Sequence, residues 1–113
     1  MAISNNYIGS FTLPIFANNK PKIPDNVNHI IIDNNIKNIE TIELYRFFIF
    51  PGMMAEEHIA EWAESDVGKW AIEHCVSEIQ LRKFMNVYEY QNTYVISGRF
   101  LTEDITFFHL KFK

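Results

Sequence analysis

The stretch EEHIAEWAESDVGKWAIEHC, residues 56–75, decides the fold. It holds both tryptophans, the single cysteine, two of the four histidines, and six carboxylates against one lysine. Around it Met54, Ile59, Trp62, Val67, Trp70 and Ala71 recur at three- and four-residue steps, with His58, Ala63, His74 and Cys75 in the same stripe. That spacing brings side chains to one face of a helix. Glu56 and Glu57 stand in its first turn, where carboxylates offset the positive end of the helix dipole. Gly68 costs about 1 kcal/mol against alanine inside a helix, and Ser65-Asp66 before it would equally cap a second helix. Because the stripe keeps its phase across this break, the sequence predicts one helix over 53–79 with a weak point at 65–68.

Upstream the period is two. HIIID (29–33) is a β-branched run ended by Asp33-Asn34-Asn35, which predicts a strand followed by a turn. TIELYRFFIF (41–50) predicts a second strand, stopped by Pro51-Gly52. Alternation puts Ile42, Leu44, Phe48 and Phe50 on one face and Tyr45, Phe47 and Ile49 on the other. A strand apolar on both faces is central, or meets another surface with its outer side. Residues 1–28, punctuated by asparagines and prolines, read as an irregular N-terminal arm.

Downstream the period returns to two in RKFMNVYEY (82–90), TYVISGRFL (93–101) and ITFFHLKFK (105–113). Short separators predict antiparallel neighbours, a three-stranded meander over 82–113 with Phe108, Leu110 and Phe112 turned toward the helix. The predicted architecture is α+β: one domain over 1–113, an antiparallel sheet with one long helix, straight or kinked, across one face.

A chain of 113 residues with net charge −4 lacks the basic surplus of a nucleic-acid binder. No apolar run approaches the roughly 20 residues that span a bilayer. MAISNNYIGSF lacks the basic and apolar regions of a signal peptide. One cysteine forms no internal disulfide, so a reducing cytoplasm is the expected setting. The acids are unevenly placed, with seven over residues 53–80 against Lys69 alone.

His58, His74, Cys75 and His109 are the residue types that bind zinc. Their spacing fits no compact motif: HExxH and CxxC are both absent. On a continuous helix, residues sixteen apart stand about 24 Å apart and share no ion. Cys75 comes late in its helix, where the dipole disfavours a thiolate. Glu57, Glu61 and Glu64 would do acid–base work only if desolvated, and opposite the apolar stripe they face water. Core packing accounts for Trp62 and Trp70, and no phosphate loop or GxSxG is present.

Trp62, Ser65, Gly68, Trp70 and His74, followed by Leu110-Lys111-Phe112, resemble a pattern in small uncharacterised proteins of large tailed bacteriophages, Trp-x-x-(Ser/Thr)-x-x-Gly-x-Trp-x-x-x-His with a closing Leu-Lys-aromatic. The resemblance covers about residues 55–113. It implies a phage source, hence host cytoplasm or virion, and no particular chemistry. With the residues it leads to a non-enzymatic protein-interaction or structural module. Its expected surfaces are the acidic helix (Glu57, Glu61, Glu64) and an apolar sheet face (Tyr45, Phe47, Ile49). The expected partner is a protein, a second copy included, with no cofactor, membrane or direct nucleic acid. Two alternatives stand beside it: a metal-binding protein or enzyme built on His58, His74, Cys75 and His109, and an acidic inhibitor of a nucleic-acid-binding host protein.

Overall fold

The computed structural model describes residues 6–11, 20–24, 26–50, 52, 54–86 and 91–112. In chain order the elements are β1 (Asn6–Phe11), β2 (His29–Ile32), β3 (Asn35–Ile49), α1 (Glu56–Glu64), α2 (Asp66–His74), β4 (Gln80–Asn86), β5 (Gln91–Leu101) and α3 (Thr102–Phe112). The strands lie in the order β1-β4-β5-β3-β2, and every pairing is antiparallel. The class is therefore α+β with an antiparallel sheet. β1 falls inside the arm that the sequence reads as irregular, and it pairs with β4.

The predicted long helix is two helices. Ser65 leaves the helical region at ψ 164°, its Oγ accepts from the Gly68 N–H at 3.0 Å, and it caps α2. The same hydroxyl donates to the Trp62 carbonyl at 2.5 Å, closing the end of α1. One serine thus serves both orphan ends. The stripe keeps its phase across the joint because Ile59, Trp62 and Ala63 of α1 and Trp70 and Ala71 of α2 all enter one core.

The predicted meander keeps two of its three strands. β4 and β5 pair from Gln80↔Ser97 to Asn86↔Gln91. Of residues 105–113, read as the third strand, 105–112 belong instead to α3. Ile105 and Phe108 are buried and Phe112 packs against the same core, a spacing of three and four. Leu110, expected beside them, is 82% exposed. A short apolar run with aromatic residues fits either period. Glu103 and Asp104 in its first turn and His109 and Lys111 in its last suit a helix dipole.

A bulge in β3 corrects the face assignment. Up to Glu43 the register against β5 follows Glu43↔Ser97, and from Tyr45 it follows Tyr45↔Ile96, so Leu44 is an extra residue. An inserted residue exchanges the two faces beyond it. Ile42 and Leu44 before the shift, and Phe47 and Ile49 after it, therefore all reach the helix side. Phe48 and Phe50 are left outward, 56% and 57% exposed.

Candidate functional site

The four residues of the metal or nucleophile reading sit in separate surroundings. His58 stacks on Phe47 with ring centroids 4.9 Å apart. His74 stacks on Trp70 at 4.7 Å, and its Nδ1 lies 2.9 Å from the Trp70 carbonyl, so that nitrogen carries the proton it donates. Cys75 is 1% exposed at the end of α2, its thiol 3.4 Å from the Ile72 carbonyl. His109 is exposed on α3. Among the described residues no group of three His, Cys, Asp or Glu is placed to hold a metal ion.

The residues expected to form an interaction surface divide. Phe47 and Ile49 are core residues, 5% and 4% exposed. Phe47 lies between the rings of His58 and Tyr94. Tyr45 remains at the rim, 37% exposed. The three do not form an open face, because the Leu44 bulge turns that side of the strand inward. Glu57, Glu61 and Glu64 stand exposed on α1. The ion pairs among the described residues lie elsewhere, Lys37 with Glu103 at 3.8 Å and Arg46 with Glu43 at 2.7 Å. Hydrogen bonding to Glu43 raises the Arg46 pKa, and its exposure keeps the pair's contribution small.

A surface that alternation did not disclose lies on the β2–β3 hairpin. Asp33 and Asn34 both have positive φ, 51° and 67°, the two-residue type I′ turn whose twist matches flanking strands. Tight closure fixes the register Ile32↔Asn35, Ile31↔Ile36 and Ile30↔Lys37. Ile31 and Ile36 are thus direct cross-strand neighbours, and they are 70% and 72% exposed. Strand β2 ends the sheet, so its outer edge is unpaired in the strand order. The Cα radius of gyration is 15.3 Å, against about 13 Å for a compact chain of this length. The HIIIDNNI segment holds the signal: β-branched residues with a turn and no aromatic residue to pack beneath them.

A second polar feature lies on the sheet face opposite the helices. Arg99 is buried, and its guanidinium donates to the carbonyls of Ile23, Pro24 and Val27. Glu78 N–H donates to the Pro21 carbonyl at 3.1 Å and Lys20 Nζ to the Glu73 carbonyl at 3.2 Å, so this segment is tied to the body of the fold at several points. The adjoining cavity is lined by Thr41, Gln80, Arg82 and Ser97 among others, and its roughly 20 Å³ has room for one water. The Arg99 and Glu78 hydrogen bonds anchor Pro21, Ile23, Pro24 and Val27 to the sheet. A more open cleft between α2 and α3 has Trp70 and Phe107 in its lining, with Asp66, Lys69, Glu73 and Lys111 supplying both signs of charge.

Among the described residues no helix is long and apolar enough to cross a membrane. No family model matches the chain, and no curated protein or solved structure matches it.

Proposed function

We propose that this chain is a non-enzymatic protein-interaction module, phage-encoded as its resemblance suggests, that works through the β2–β3 hairpin with the acidic face of α1 as a second element. One observation carries the reading. Ile31 and Ile36 stand side by side and largely exposed at an open sheet edge. Apolar groups so placed cost solubility and contribute nothing to the core, and an exposed β-branched edge is a template for pairing. Glu57, Glu61 and Glu64 favour a partner whose facing surface is basic, which makes that part of the contact sensitive to salt. The metal or enzyme reading gains no support from the separate settings of His58, His74, Cys75 and His109.

The test compares the native chain with Ile31→Lys/Ile36→Lys in self-association and in capture of proteins from host lysate. The variant loses the Ile31–Ile36 cross-strand contact and sets two lysines directly opposite each other, so it should be less stable than the native protein by about 1 kcal/mol. Association of one kind or the other should be lost. If both proteins associate identically, the hairpin is not the interaction surface.

A further inference from the structure

We infer that the cavity beside Arg99 is an anion site, sized for one monatomic ion of the chloride class.

The strand register builds it. Ile96 and Phe100 of β5 face the helices within the core, so Ser97 and Arg99 face the other way. Residues directly opposed across an antiparallel pair share a face, and the partners are Thr41 for Arg99 and Gln80 for Ser97. Arg82, two residues beyond Gln80, joins the same face. Lys22 and Ile23 of the overlying segment line the cavity together with these residues.

Arg99 leaves a charge uncompensated there. It is 7% exposed, and a guanidinium keeps its proton in a protein. Its terminal nitrogens donate to the carbonyls of Ile23, Pro24 and Val27. Carbonyls accept hydrogen bonds but carry no net charge, and no ion pair among the described residues involves Arg99. Its Nε–H is also buried without a partner among the described residues. A charge without counter-charge and a donor without acceptor are both costly in an interior. A water in the cavity would answer the donor alone, whereas an anion answers both.

The rest of the lining has the same sign. Lys22, Arg82 and Arg99 stand there against Glu78 as the one acid, in a chain whose net charge is −4. Glu43, on the same sheet face, is held by Arg46. The hydroxyls of Thr41 and Ser97 and the amide of Gln80 are donor groups that can complete an anion's shell. Size selects the ion. The cavity's roughly 20 Å³ exceeds the about 10–15 Å³ that one water needs, enough for a halide and too little for a phosphate. Lys22, Ile23 and Gln80 also line a wider cleft of about 340 Å³, which gives the ion a route from solvent. Because Arg99 is held by the carbonyls of Ile23, Pro24 and Val27, the bound anion fastens that segment to the sheet.

Replacing gluconate by chloride at constant ionic strength separates binding to the native chain from screening. Thermal melts should show a saturable rise in stability, the folded-to-unfolded ratio increasing about eleven-fold at ten times the dissociation constant. Arg82→Gln should raise the half-saturating concentration about three-fold or more, since its charge acts on the ion at close range. Bromide should give an anomalous diffraction peak beside Arg99 Nε in crystals of the native chain. Equal melts in chloride and gluconate with no bromide peak would show that the cavity holds only water. A peak without a saturable melt would mean binding at crystal concentration only, and it too overturns the site. A peak elsewhere, or the same half-saturation in Arg82→Gln and the native chain, would place the ion outside this cavity and overturn the assignment.

Discussion

An ideal Cβ built on Gly68 would lie 1.8 Å from the Trp62 carbonyl oxygen and 2.9 Å from the Ala63 Cα, both backbone. Helix propensity alone would have Gly68→Ala stabilise α2 by up to about 1 kcal/mol. The clash reverses the sign, since backbone cannot give way as the end of a side chain can. We expect Gly68→Ala to cost about 2–3 kcal/mol, the scale of overpacking a core, measured by urea denaturation. Ser65→Ala, which removes the α2 cap and the hydroxyl bond to the Trp62 carbonyl, should cost about 1–2 kcal/mol. A stabilised Gly68→Ala would mean that α1 and α2 are not held at this close approach. Trp62, Ser65 and Gly68, three of the five positions in the bacteriophage-like pattern, meet at this joint through the Trp62 carbonyl. The pattern therefore has a structural account whatever its source.

At the scale of elements, α3 offers the cleanest separation of the two readings of its sequence. A strand would turn Phe108, Leu110 and Phe112 to one face. The helix buries Phe108 at 3% exposure and leaves Leu110 in water at 82%. Phe108→Ala should therefore cost about 3–5 kcal/mol, and Leu110→Gln should fall within about 0.5 kcal/mol of zero. Comparable losses in thermal melts of the two variants would restore the strand. Trp70 explains much of the difference, since its ring meets Phe100 at 5.4 Å and Phe108 at 5.4 Å. In β3 the lesson is similar. Alternation correctly identified a strand rich in apolar residues, but one extra residue at Leu44 decided which of them became core.

For the whole molecule, Arg99 joins residues 75 and 76 positions away in sequence, Pro24 and Ile23, to the middle of the sheet. Replacing it removes the charge-assisted donors that hold the carbonyls of Ile23, Pro24 and Val27. Arg99→Gln should cost about 2–3 kcal/mol and release the arm. Tryptic cleavage after Lys22 should then accelerate at temperatures where the rest of the chain is still folded. Unchanged cleavage would show that the arm is held by other contacts.

Local chemistry was enough for the α+β class, a turn after the strand at 29–33 and the apolar stripe of residues 54–75, because capping, turn formation and periodicity act within a few residues. The exposed carboxylates of α1 were legible for the same reason. Three features needed the tertiary structure. The Leu44 bulge shifts register without any local mark, and one residue suffices to exchange the faces of a strand. The end of α1 depends on how closely Gly68 lets the Trp62 carbonyl approach. The helical state of residues 102–112 follows from the room around Trp70, since a run so rich in phenylalanine can bury its rings at either period. Each of these is a contact between residues or elements, and a contact has no signature in the periodicity of either partner alone.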